Sequence, residues 1–325
     1  MNNQLEGIYA PYIKQYIDFK KNLGFKYNTE TKVFSFFDRF TIRRGEKIVG
    51  ITRDLAVAWC NLNPNESSSY KYHRSLCLNQ LASYLCKIGF QSYIIQLPPN
   101  KNTFTPYIFS RKQVADLFEA CDNVIGKKKR MDTAIIILPA LLRLLYGTGL
   151  RISEALSLKN KDINLEDNYL IVRDSKNGKE RMIPISTSLS EVFKEYVKYR
   201  NLMPLSISNE DRFFITLSGC GCNRDHVRKW FRKILWNAGI SRDDHGPRLH
   251  DLRHTFSVHT LAMMAESGTD LYCSLPTLSA YLGHQSLEAT NGYVRLTSDM
   301  YPGLLRDVNL ICLNVFPNTE FYATH

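Results

Sequence analysis

The stretch Thr148-Gly149-Leu150-Arg151-Ile152-Ser153-Glu154-Ala155-Leu156-Ser157-Leu158 puts an arginine just after a glycine-marked helix stop, with a carboxylate three residues further on. A guanidinium offers a planar fork of donors that matches two oxygens of a phosphate, which an ammonium cannot reproduce. Glu154 lies one helical turn from Arg151 and can hold that fork in orientation. An R-x-S-E run is common by chance, so its weight comes from the order of the residues downstream. His250-Asp251-Leu252-Arg253 comes next, then Gly283-His284, and Tyr293 stands nine residues after His284.

Cleaving a phosphodiester requires a nucleophile, cations for the charge that gathers on the non-bridging oxygens, and a proton for the departing oxygen. A tyrosine phenol has an ordinary pKa of ~10 and needs a proton acceptor or a strongly positive setting before it attacks at neutral pH. Arg151 and Arg253 are natural clamps for such a phosphate. His250 and Arg253, three apart on a predicted helix, project from one face toward the same site. Gly283, lacking a side chain, would let backbone and DNA approach closely. Singly each feature is more often structural, and a tyrosine is usually a packed ring with a hydrogen-bonded tip. Two demands therefore fall on the fold: the cations must converge, and the Tyr293 ring must not be sealed in the hydrophobic interior.

The composition agrees with a polyanionic partner. Lys plus Arg total 42 against 31 for Asp plus Glu, a net charge of +11 and a pI near 9.2, which favours nucleic acid over a membrane surface. The most apolar run, Ala134 to Leu142, is interrupted by Pro139 and closed by Arg143, so it cannot span a bilayer. The first residues lack the basic and then apolar blocks of a signal peptide, and a soluble, cytoplasmic protein is expected. Cysteines 60, 77, 86, 121, 220, 222, 273 and 312 show no framework spacing and read as reduced thiols. Cys220, Cys222 and His226 lack the usual spacing and a fourth ligand, so no metal site is expected.

The 325 residues suit two domains. Residues 8 to 89 read as four helices, Ile8 to Leu23, Thr29 to Thr41, Arg53 to Leu62 and Ser67 to Ile88, with Gly89 as a stop. In the last of these, Leu78, Leu81, Ala82 and Leu85 share an apolar face. Ser69, His73, Gln80, Ser83 and Lys87 share the other, where His73, Gln80 and Lys87 are candidates for phosphate or base contacts. The Leu97-Pro98-Pro99-Asn100-Lys101-Asn102 run breaks all periodicity. The expected division is a helical domain over 1–96, a linker over 97–108 and a second domain over 109–325.

Beyond the linker, Ser110 caps a helix and Asp132 caps a long apolar one that stops at Gly147-Thr148-Gly149. The β-rich runs Leu170-Ile171-Val172 and Met182-Ile183-Pro184-Ile185 flank Asn177-Gly178, a strong hairpin signal. Helical periodicity returns at Ser188 to Tyr199, Asn223 to Ala238, His250 to Met264 and Leu275 to Leu282. The densest charge run, Lys127-Lys128-Lys129-Arg130, reads as a solvated loop or a phosphate-contacting one, adding affinity rather than sequence choice. The fold class is mainly α with a small β-sheet.

With these pieces placed, the stretch from Thr148 to Leu158 resembles the first box of the tyrosine recombinases, or phage-type integrases. Ser175-Lys176-Asn177-Gly178-Lys179-Glu180-Arg181 resembles the β-hairpin that carries that family's lysine. His250 to Phe256 resembles the second box, and Leu282-Gly283-His284-Gln285-Ser286 through Tyr293 the third. The resemblance covers residues 110 to 295. It implies that Arg151 and Arg253 clamp the phosphate, with Glu154 in support, that His250 is a general base or proton shuttle, and that His284 is a phosphate ligand. Lys176 becomes the acid for the 5′ leaving oxygen, with Lys179 as runner-up, and Tyr293 the nucleophile that forms a 3′-phosphotyrosine bond.

That bond keeps the energy of the broken linkage, so the resemblance implies neither ATP nor a metal. The first four helices are similar by position and architecture to a SAM-like core-binding domain, which with an α+β catalytic domain would form a clamp around double-stranded DNA. The arrangement resembles the compact Xer and Cre type. A longer segment between Met263 and Ser279 looks like that of a transposon-encoded subgroup. The resemblance further implies a homo-tetramer on two DNA sites, coupled through exchange of the C-terminal tail, with accessory recombination proteins as further partners. Integration or excision of a mobile element, or resolution of DNA, would be its task. The alternatives are a non-catalytic DNA-binding protein on the same fold, against which the full set of six residues argues, and an unrelated RNA-binding or assembly protein, for which the four boxes must be coincidence.

Overall fold

The computed structural model describes residues 5–63, 65–98, 105–124, 134–173, 180–241, 246–284, 290, 292–294, 296–297 and 301. The chain divides into two compact units, Met1–Phe104 and Thr105–His325.

The first unit holds α1 (Ala10–Asn22), α2 (Asn28–Arg44), α3 (Arg53–Cys60) and α4 (Ser68–Lys87). Local chemistry sets the ends. The Thr52 and Ser67 hydroxyls accept from the N–H groups of Leu55 and Tyr70, as N-caps do, and Gly45 closes α2 at φ 72°. The interior is built on Trp59, which packs against Phe36, Phe37 and Phe40. Arg74 is fully buried beside it, its guanidinium 4.6 Å from the indole ring, bonded to the Trp59 carbonyl and paired with Glu66 at 2.7 Å. A buried cation survives only with such partners.

The second unit begins with α5 (Arg111–Asp122), capped reciprocally by Ser110 and Gln113. A 3-10 turn at Ile135–Ile137 leads into α6 (Leu138–Thr148). The apolar helix thus starts later than Asp132, which lies outside the described residues, and Pro139 occupies its first turn, where its missing N–H costs nothing. The fold continues through α7 (Ile152–Ser157), β1 (Ile163–Asn164), β2 (Tyr169–Val172), β3 (Arg181–Pro184), α8 (Thr187–Asn201), α9 (Arg224–Asn237), α10 (Asp251–Glu266) and α11 (Leu271–Leu282). The strands form one antiparallel sheet in the order β1-β2-β3, with Leu170 opposite both Ile163 and Ile183. The Asn177-Gly178 turn, with Lys176 and Lys179, lies outside the described residues.

Two further elements differ from the sequence expectation. The two-residue β1 is too short to show a period. α11 starts at Leu271 rather than Leu275 and carries Pro276 within it, so the long segment after α10 is largely helix. Its start is fixed by the Asp270 carboxylate, which accepts from the Cys273 N–H.

α6 packs against α8 and α10 through Leu138, Leu141, Leu142 and Leu145, all buried. Gly149 ends it at φ +60°, and a Cβ there would sit 2.5 Å from the Phe256 ring. Only glycine serves at this turn, which presents Arg151 at the head of α7. Among the described residues no helix is long and apolar enough to cross a membrane.

Candidate active site

Arg151 is the N-cap residue of α7. Its N–H donates to Glu154 Oε2 at 3.1 Å and its guanidinium to Oε1 at 2.9 Å. The same carboxylate, 1% exposed, accepts a second guanidinium from Arg181 of β3 at 2.9 Å, so it holds two cations together. Burial pushes the Glu154 carboxyl up, but the hydrogen bond and charge of Arg181, with the N–H and charge of Arg151, hold it below the usual carboxylate range. Arg181 also donates to the Tyr281 carbonyl at 2.9 Å, tying the hairpin to the end of α11.

The second cation sits deeper. Arg253, on the first turn of α10, is 2% exposed and donates to the carbonyls of Gly149 at 2.7 Å and Leu282 at 2.8 Å. It also lies 2.9 Å from His284 Nε2. Burial, then the neighbouring Arg151, lowers its pKa to about 10. His284 Nδ1 is 2.7 Å from the Thr290 hydroxyl. Burial and the charges of Arg253, Arg151 and Arg181 lower the imidazole to about 4, so Nε2 faces Arg253 as a neutral acceptor.

Gly283, at φ +65°, terminates α11, and a Cβ there would come 3.1 Å from the Arg181 guanidinium. The glycine therefore makes room for an arginine of the protein and adopts a left-handed turn, a different reason from the close approach of DNA expected of it.

Tyr293 stacks on His284 with ring centroids 6.2 Å apart and an interplanar angle of 20°. Its ring is 5% exposed and packs in an apolar cluster with Val258, Leu261, Leu275, Leu278 and Leu282. That is more burial than an attacking side chain was expected to show. The hydroxyl end is polar in its surroundings, 3.1 Å from His254 Nδ1.

His250 stands at the N-cap position of α10, with no capping hydrogen bond from its side chain, and its ring meets His254 edge-on with centroids 4.8 Å apart. His250 is exposed as a residue. Even so, the protein packed around its imidazole, then the charges of Arg253, Arg151 and Arg248, lower it to about 4.

The structure thus gathers Arg151, Glu154, His250, Arg253, His284 and Tyr293 into one connected cluster. Lys176 lies outside the described residues. Sequence reasoning missed His254 and Arg181. The first was detectable, because positions 250 and 254 share one helical face. The second had no signal without the hairpin register.

The basic residues of α9 also escaped the sequence reading: Arg224, Arg228, Lys229 and Arg232 are exposed, while Val227, Phe231, Ile234 and Leu235 of the same helix are buried. In the first unit, Gln80 accepts from the Tyr27 hydroxyl at 2.9 Å, so part of that amide serves the fold. His73 lies 3.8 Å from Cys77 Sγ and Lys87 is exposed. Lys127, Lys128, Lys129 and Arg130 lie outside the described residues. Among the described residues, no group of three His, Cys, Asp or Glu side chains is placed to hold a metal ion.

Comparison with known proteins gives concordant matches. The model of the phage integrase family matches residues 108–300. The chain is 30% identical to tyrosine recombinase XerA of Thermococcus onnurineus over 69% of its own length and 70% of that protein's. It is 28% identical to tyrosine recombinase XerC of Oceanobacillus iheyensis, covering 91% of this chain and 94% of the relative. Among solved structures, the Tn1549 transposon integrase in complex with transposon right end DNA superposes with a TM-score of 0.64, at 17% identity, over 87% of this chain and 94% of that one.

Proposed function

This chain belongs to the phage integrase family, the tyrosine recombinases, and from that premise we propose that it cuts and rejoins double-stranded DNA through a covalent 3′-phosphotyrosine bond at Tyr293. The observation that carries the proposal is the single cluster in which Tyr293 stacks on His284, His284 pairs with Arg253 and Glu154 holds Arg151 beside Arg181. A phosphodiester entering this cluster meets guanidinium donors already fixed in place, and such preorganised charge is worth most where water is excluded. Arg151 and Arg253 clamp the non-bridging oxygens, His284 contacts the phosphate, and Lys176 protonates the 5′ leaving oxygen. The exchanged bond is conserved in energy, so the residues present suffice without a nucleotide cofactor.

The four-helix unit supplies phosphate and base contacts through His73, Gln80 and Lys87 on α4, and Lys127 to Arg130, which belong to the second unit, add phosphate contacts. The exposed arginines of α9 add phosphate contacts. Four copies assembled on two sites, coupled through residues after Tyr293 and aided by accessory proteins, would integrate or excise a mobile element or resolve DNA.

The burial of the Tyr293 ring favours a second reading, a DNA-binding protein that does not cleave. A nicked suicide duplex separates the two. Incubated with protein and denatured, it yields a slow-migrating adduct that disappears in Tyr293→Phe if the first reading holds. Duplex binding with no adduct from the unaltered protein would establish the second.

A further inference from the structure

The reaction needs a group to take the phenol hydrogen, and the residue in contact with that hydroxyl is neither of the histidines singled out by spacing. Resting on the recombinase reading of the site, we propose that His254 is a catalytic residue, the proton acceptor of Tyr293. In the step this implies, the Tyr293 Oη–H bond breaks and the proton passes to His254 Nδ1. Oη bonds to phosphorus, the bond from phosphorus to the 5′ oxygen breaks, and that oxygen leaves with a proton from the general acid. On rejoining, the 5′ hydroxyl returns its proton to the general acid as its oxygen bonds to phosphorus, the bond from phosphorus to Oη breaks, and the phenolate takes its proton back from the His254 imidazolium.

The geometry supports the proton transfer. Nδ1 and Oη are 3.1 Å apart, within the reach required of a general base, and the two rings are tilted at 51° with centroids 5.7 Å apart. His254 follows the clamp Arg253 on α10, so one helix positions both acceptor and clamp. That helix is anchored by the Thr255 hydroxyl, which donates to the Asp251 carbonyl and accepts from the Phe109 N–H.

The groups facing His254 are His250, Arg253, Arg248, His284 and Tyr293. Burial first, and then His250, Arg253, Arg248 and His284, hold the imidazole at about 3 in the DNA-free protein. Its lone pair is therefore available at neutral pH, but its basicity is low. A phosphodiester brings negative charge among those same cations and raises the histidine when the proton must move. Substrate binding itself thus switches the acceptor on.

The test uses full-length protein and a suicide duplex whose 5′ bridging oxygen is replaced by sulfur, a leaving group that needs no proton. His254→Ala and His254→Gln are both expected to slow adduct formation on this duplex by about 100-fold, within the range for loss of a general base, with duplex affinity unchanged. Glutamine can accept the hydrogen bond but not the proton. The unaltered protein should lose rate in acid as His254 protonates, whereas His254→Gln should show a rate that climbs steadily with pH toward the phenol range.

A wild-type rate and pH profile in either variant, or faster adduct formation, overturns the proposal, because the contact would then only store or position the tyrosine. A second measurement needs no variant: nitrogen NMR of the trapped adduct should show His254 as an imidazolium, and a neutral ring there overturns the proposal as well. If the unaltered protein forms no adduct at Tyr293, the reading of the site itself fails. If it does and His254 proves dispensable, only this inference falls.

Discussion

Glu154 shows how much of the site rests on one residue. Its carboxylate is the common partner of Arg151 at 2.9 Å and Arg181 at 2.9 Å, and it is nearly inaccessible to water. Removing one member of a buried ionic cluster leaves the others uncompensated, at a typical cost of ~3 kcal/mol. Glu154→Gln should therefore lower the urea midpoint by a corresponding amount and slow adduct formation, while the gain of positive charge leaves duplex affinity equal or higher. Loss of affinity without loss of stability would show that Glu154 does not hold the clamp. At this scale the sequence was informative where chemistry depends on order along the chain. Arg151, Arg253, His284 and Tyr293 were found by spacing because each belongs to a short local run. The Tyr293–His254 contact and the burial of the ring were not, since both depend on how α11 and the residues after it return onto α10.

Among elements, α9 carries the clearest expectation. Arg224, Arg228 and Arg232 recur at four-residue intervals on its exposed side, and the Arg228–Asp225 pair at 3.4 Å is a surface interaction of small worth. If this face lies along phosphates, replacing the three arginines by alanine should weaken all duplexes alike. It should also flatten the salt dependence of log K by ~0.9 for each phosphate no longer neutralised, with little change in melting temperature. An unchanged salt slope would place the helix away from DNA.

Helix ends were legible wherever a side chain makes the cap: Ser67, Ser110 and Asn223 each accept from the backbone of the following turn. Asp270 does the same for α11, although the periodicity pointed to a start at Leu275, four residues later than Leu271. β1 was lost for a different reason, since a two-residue strand exists only through its partner β2.

At the scale of the molecule, titration should act unevenly. His250, His254, His259 and His284 all lie in the second unit, and all are pushed below the ordinary imidazole range by burial first. A histidine whose folded pKa is depressed takes up protons more readily unfolded, so its contribution is intact above about pH 6.5 and is lost as pH falls toward about 4. Asp251, raised by burial, opposes this only in the carboxylate range. Acidification from pH 7.5 to 5 should therefore lower the melting transition of the second unit by several degrees and move that of the first much less, as followed by calorimetry. Equal shifts in both would contradict the assignment.

The same division has a longer reach. Trp59 and its neighbours close one interior, and the leucines of α6 close another. Substitutions can repack either set of side chains on its own terms, so a lineage can rework one core by small steps and diversify its two halves at different rates.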